Sequence, residues 1–209
     1  DSSADAAHTE VEMTKLTFEA YAYAAGAHGR QTRKGTSVPY VTHLMNVAST
    51  VLAHGGDEFE SAAAFLHDTV EDQGGEARLA DVRERFGTRI AEIVEGCTDA
   101  DTFPKPPWRP RKEAFVKHLE SAEPSVLLVM AADKLDNLRS IVDDYRDVGE
   151  NIWSRFHAGR EDQVWHFGAL HDVLARGAAR FPDERRAEYG RLVRRIEGAL
   201  EELKRLLPA

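Results

Sequence analysis

Residues 124–145 read PSVLLVMAADKLDNLRSIVDDY, and this stretch decides the fold class. Pro124 suits a helix start, because its fixed φ and missing N–H are harmless in a first turn. Val126, Val129, Met130, Asp133 and Asn137 then recur three or four residues apart, the spacing of one helical face, and the helix is expected to run to about Tyr145. That face is apolar except at Asp133 and Asn137. A carboxylate buried without a counter-charge is strongly unfavourable, so a basic side chain or a metal ion is expected beside Asp133.

The same periodicity extends in both directions. Residues 10–28 carry Leu16, Ala20, Tyr21, Ala24 and Ala27 on a helical stripe that Gly29 ends, and the loop GRQTRKGTSV follows. Pro39 opens a helix through Tyr40, Leu44, Val47, Val51 and Leu52, stopped by His54-Gly55-Gly56. A third helix is expected from Asp57 to Glu71, closed by Gln73-Gly74-Gly75. Leu79 to Phe86 and Thr88 to Cys97 read as two short helices parted by Gly87. Phe103 to Pro110, containing PKPPWRP, reads as an exposed loop, since proline breaks helices. Arg160 to Arg180 and Asp183 to Leu207 are the closing helices. Alternation of β-branched with polar residues is missing, and so are hairpin dipeptides. The expectation is therefore all-α, a bundle of roughly eight to ten helices.

At 209 residues, the chain (1–209) is expected to form a single domain. With 27 Lys and Arg against 36 Asp and Glu, the net charge of −9 argues against a partner such as a nucleic-acid polymer. An anionic small molecule would need a local basic patch or a bound cation. Cys97 is the only cysteine, which excludes a disulfide framework or a multi-cysteine zinc cage and fits the cytoplasm. With neither a long apolar run nor a signal-like start in DSSADAAHTEVEMTK, no membrane partner or export is expected.

Polar residues stand where core is expected. His43 shares the stripe of Tyr40 and Val47, and His67 that of Ala63 and Val70, so both should face inward. In HDTVED at 67–72, Glu71 follows His67 by four residues and Asp72 follows Asp68 by four, setting an imidazole and three carboxylates on one helix face. Such crowding is repulsive without a cation. His43, His67, Asp68 and Asp133 together offer the mixed nitrogen and oxygen shell of a first-row divalent metal, with positions left for water and substrate.

Several linked motifs now carry a resemblance. His28-Gly29-Arg30-Gln31, Arg33-Lys34-Gly35, Pro39-Tyr40-Val41-Thr42-His43, Leu66 to Asp72, Phe86-Gly87, Thr98-Asp99 and Asp133 to Arg139 resemble the HD-domain hydrolases of the RelA/SpoT group. The chain is most similar to the stand-alone small alarmone hydrolases, the class that includes the metazoan SpoT homologue. The match covers about residues 20–145, with the helices of 150–209 expected to pack on it. It implies an HD-domain helical bundle and a Mn²⁺ site with His43, His67, Asp68 and Asp133 as metal ligands. The implied reaction is hydrolysis of the 3′-pyrophosphate of ppGpp and pppGpp to GDP or GTP plus pyrophosphate. Leu44 follows His43 where the family commonly has proline, a backbone preference that leaves the chemistry intact.

In that frame Glu71 and Asp72 are the catalytic candidates, placed to orient water, shuttle its proton or protonate the leaving ribose oxygen. Arg33 and Lys34 resemble the family's pair near the nucleotide, the alternative being a solvated basic turn. Asn137 is placed to bond ribose or base. Lys105, Arg109, Arg111 and Lys112 form the densest basic stretch, a pyrophosphate clamp or a solvated face. Trp153, Phe156, Arg160, Trp165 and Phe167 read as core packing, with a ligand pocket as the alternative. Two other functions fit: an HD phosphohydrolase for another nucleotide, such as an adenosine alarmone or NADPH, or a non-catalytic alarmone-binding or antitoxin protein. A complete ligand set with Glu71 and Asp72 favours turnover. A homo-oligomer is compatible with all of these readings.

Overall fold

Ten α-helices account for most of the computed structural model, which describes residues 15–100 and 104–208. In order they are α1 (Lys15–His28), α2 (Val41–Ala53), α3 (Glu58–Leu66), α4 (Thr69–Gln73), α5 (Gly75–Phe86), α6 (Thr88–Cys97), α7 (Trp108–Leu119), α8 (Pro124–Val148), α9 (Arg160–Gly177) and α10 (Asp183–Leu206). Short 3₁₀ helices, Gly149–Arg155 and Ala178–Arg180, flank α9. Extended pairing among the described residues is confined to one antiparallel bridge, Thr32 to Pro39. The all-α expectation holds.

The long helix read from residues 124–145 is the axle of the bundle. Leu127, Leu128, Val129, Ala131 and Ala132 are fully buried, and α2, α3, α6, α9 and α10 all pack against α8. Gly96 lets α6 come close, since a Cβ there would sit 2.6 Å from Val126 Cγ2. A second tie joins α3 to α10. Glu60, wholly buried on α3, receives Arg185 Nη2 from α10 at 2.9 and 2.8 Å and Ser125 Oγ at 2.7 Å. Burial of that carboxylate is tolerable only because these donors surround it.

Four sequence expectations need correction. The helix expected from Asp57 to Glu71 is two helices, because α3 stops at Leu66 and α4 starts at Thr69. At the junction Asp68 sits at φ −96° and ψ −5°, and the Thr69 hydroxyl donates to the Leu66 carbonyl at 2.6 Å, capping the broken end. The proline segment ends earlier than expected: α7 begins at Trp108, and Pro110 lies in its first turn, where a missing N–H costs no helical bond. Phe103 lies outside the described residues, as do residues 10–14 of the first expected helix. Tyr21 does not join the buried stripe of α1, which is Thr17, Ala20, Ala24 and His28. Trp165 is only partly buried and outside the main core, although Phe167 and Trp153 are inside it.

Candidate active site

α2 carries His43 into the interior a turn after the Thr32–Pro39 bridge closes the preceding loop, where Gly35 adopts φ +70°. Its Nδ1 faces Asp136 Oδ2 at 2.7 Å, so Nδ1 is the donor and Nε2 points away from that bond. His67, at the break after α3, is oriented in the same manner: Nδ1 donates to the Ala64 carbonyl at 2.8 Å. Both Nε2 atoms are buried without a hydrogen-bond partner in the protein. They converge on two carboxylates. Asp133 Oδ1 is 3.2 Å from His43 Nε2 and 3.8 Å from His67 Nε2, and Asp68 Oδ2 is 3.5 and 3.1 Å from the same atoms.

Electrostatics sharpen the picture. Burial alone would lower both imidazoles, but Asp133, Asp136 and Asp68 hold His43 up at about 9, and Asp68 and Asp133 hold His67 well above its ordinary value. Burial would raise Asp68 and Asp133; the imidazoles, with Lys134 at Asp133, pull both well below the carboxylate range. A site that raises its imidazoles and lowers its carboxylates stabilises positive charge. His43, His67 and Asp133 offer ligand atoms within 4.8 Å of one another, and Asp68 stands beside that trio. Donors 3.1 to 3.8 Å apart are what a common centre about 2.1 Å from each would produce, so the donor set fits a divalent metal.

The remaining expected residues sort into two groups. On the α8 side, Arg33 Nη1 donates to Asp136 Oδ2 at 2.6 Å and Nη2 reaches Asn137 Oδ1 at 3.4 Å. Only 16% of the Arg33 side chain is exposed, so the solvated-turn alternative fails for it. Lys34 is exposed, over the Phe156 ring. Asn137 Nδ2 donates to Asp133 Oδ1. In the second group, Glu71 and Asp72 turn toward polar neighbours: Glu71 Oε1 pairs with Lys105 Nζ at 2.7 Å and lies 3.9 Å from Arg111, and Asp72 Oδ2 accepts from Gln31 Nε2 at 2.9 Å. Arg111 and Lys112 are largely buried and bind Asp99, which removes the solvated-face alternative for them. Arg109 is drawn away to Asp162, Glu113 and the Trp165 ring.

Sequence reasoning gave no role to Tyr40, Lys134 or Asp136. The Tyr40 hydroxyl donates to Asp68 Oδ2, Lys134 Nζ is 2.7 Å from Asp133 Oδ2, and Asp136 joins His43, Arg33 and Asn46. Asp136 had a signal. It stands three residues after Asp133, on a neighbouring face of the same helix.

A family model described as the HD domain matches residues 20–164. The chain belongs to the HD-domain family. Within it, this HD domain is 38% identical over 130 residues to the guanosine-3′,5′-bis(diphosphate) 3′-pyrophosphohydrolase MESH1 of Xenopus tropicalis, covering 60% of this chain and 69% of that protein. A pyrophosphohydrolase of the same description from Aquifex aeolicus is 34% identical over 122 residues, 58% of this chain but 17% of that longer protein. A solved metazoan ortholog of SpoT, described as hydrolysing ppGpp and playing a role in starvation responses, superposes with a TM-score of 0.67 at 26% identity, over 93% of this chain and 98% of that one. No helix among the described residues is long and apolar enough to cross a membrane.

Proposed function

We propose that this HD domain is a Mn²⁺-dependent 3′-pyrophosphohydrolase of ppGpp and pppGpp, acting in the cytoplasm as one domain. The observation that carries the reading is the convergence of two buried, partnerless Nε2 atoms with the carboxylates of Asp68 and Asp133, within a chain similar to enzymes named for that reaction. His43, His67, Asp68 and Asp133 would hold the ion. When bound, a divalent ion lowers the pKa of water and offsets charge on the phosphoryl oxygens.

The chain's own residues do the rest. Asp136 and the Ala64 carbonyl fix both imidazole tautomers, so that each Nε2 is available as a ligand. Glu71 and Asp72, one turn past His67 and Asp68, hold the attacking water and take its proton as oxygen attacks the phosphorus on the 3′ oxygen. The bond from that phosphorus to the 3′ oxygen breaks, and a proton returns to the ribose oxygen. Lys105, Arg111 and Lys112 face the departing pyrophosphate, while Arg33, Lys34 and Asn137 face the nucleoside. Arg109 stands outside the clamp, because its guanidinium is turned to α9, over the Trp165 ring and onto Asp162.

The test is pyrophosphate release from ppGpp. Chelator should abolish it, and Mn²⁺ should restore it better than Mg²⁺, because two imidazole ligands favour the less oxygen-demanding ion. Full turnover in chelator refutes the reading. A parallel panel with an adenosine alarmone and NADPH reads the choice of base.

A further inference from the structure

A second polar cluster lies where the end of α6, the start of α7 and the middle of α9 meet. Asp99 Oδ2 accepts from Arg111 Nη1 at 2.6 Å and from Lys112, while its Oδ1 is buried without a partner in the protein. Arg111 Nε and His166 Nδ1 are buried and partnerless as well. His166 is 5% exposed, and it lies beyond residue 164, where the family match ends. Burial, then the charges of Lys134, Lys112 and Arg111, lower its pKa to about 2, so the ring is neutral and offers one N–H and one lone pair. Lys134 in turn holds Asp133, so this cluster abuts the candidate metal centre.

α9 also fixes the distance of α7 from that centre. The Arg109 guanidinium stacks 3.4 Å over the Trp165 ring and reaches Asp162 at 2.7 Å. Trp108 meets Trp165 and His166 edge-on, with ring centroids 6.4 and 5.6 Å apart. The helix that carries Arg111 and Lys112 is thereby clasped to α9 at its first turn.

We infer that Arg111, Lys112, Lys134 and His166 form a subsite for the outer phosphate of the pyrophosphate group, with His166 as a specificity-determining contact and the Arg109–Trp165 stack as its positioning clasp. The inference rests on the function proposed above. Three cations suit a multiply charged phosphate. Hydrogen pyrophosphate retains a P–OH near neutral pH, which gives Asp99 Oδ1 a donor, while Arg111 Nε and the imidazole N–H meet phosphate oxygens.

Calorimetric binding of inorganic pyrophosphate and, separately, of GDP to the metal-loaded full chain tests this. His166→Phe and Trp165→Ala should each weaken pyrophosphate roughly tenfold or more, the scale of a lost bond to a charged group, and leave GDP unchanged. His166→Gln, which keeps an N–H and an acceptor, and Trp165→Phe, which keeps the stack, should recover most of the affinity. Melting temperature and metal content identify any variant that fails to fold; the Gln and Phe variants then decide. Pyrophosphate and GDP weakening together, or neither moving in folded protein, overturns the subsite. Should the wild type bind pyrophosphate in this pattern yet leave ppGpp intact, the proposed reaction fails and the subsite stands.

Discussion

Replacing Asp136 by Asn removes one charge and keeps the shape, which isolates what that carboxylate does. Its Oδ2 accepts from His43 Nδ1 at 2.7 Å and from Arg33 Nη1 at 2.6 Å, and its Oδ1 accepts from Asn46 Nδ2 at 2.8 Å. An amide has one accepting head, so either the His43 and Arg33 donors or Asn46 must face an NH₂ group. Loss of one charge-assisted bond costs about 2–3 kcal/mol, which for a chain of this size lowers Tm by about 5–10 °C. In either orientation the imidazole faces a neutral group in place of the carboxylate that fixes its tautomer, and outer partners of metal-bound histidines are typically worth about 10- to 100-fold in metal affinity. Competition for Mn²⁺ against a chromophoric chelator measures the second number, and circular-dichroism melts with and without excess metal measure the first. Wild-type metal affinity in Asp136→Asn would refute the assignment of Asp136 as the support of His43.

Glu71→Gln and Asp72→Asn should keep their metal and lose roughly 10²- to 10⁴-fold in kcat, the usual range for a positioned acid or base; elemental analysis beside single-turnover release checks both, and metal loss would make either residue a ligand instead. Asp99 concerns stability. Burial would raise its pKa, but Lys112 and Arg111 lower it, so its stabilisation is complete above the ordinary carboxylate range and is lost as pH falls through the lowered folded value. Wild-type Tm should therefore drop on acidification and Asp99→Asn should melt with a flatter acid limb; parallel limbs refute this.

The helices were legible because their buried faces repeat at three and four residues, as with Val126, Val129 and Met130 on α8. So were His43, His67 and Asp133, polar residues on apolar stripes that the structure buries. What escaped the sequence was local. The break at His67 and Asp68 spans two residues, too short for periodicity to register, and it leaves Asp68 between two helices rather than within one. Arg33 reads as a surface cation until the chain folds and Asp136, more than a hundred residues away, receives it. α7 was missed because Pro107 stands at its N-cap and Pro110 sits in its first turn, where proline is tolerated rather than helix-breaking.

The ion pair of the buried Glu60 with the part-buried Arg185 has a practical side. The residues that match the family end at 164, yet the partner of a wholly enclosed carboxylate on α3 arrives from α10, beyond that limit. Stripping one member from such a pair commonly costs about 3–5 kcal/mol, a large share of what holds an ordinary domain together. A chain trimmed at residue 164 for expression or for grafting would leave the Glu60 carboxylate without its guanidinium partner. The span of the family match and the span of the packing around Glu60 do not coincide.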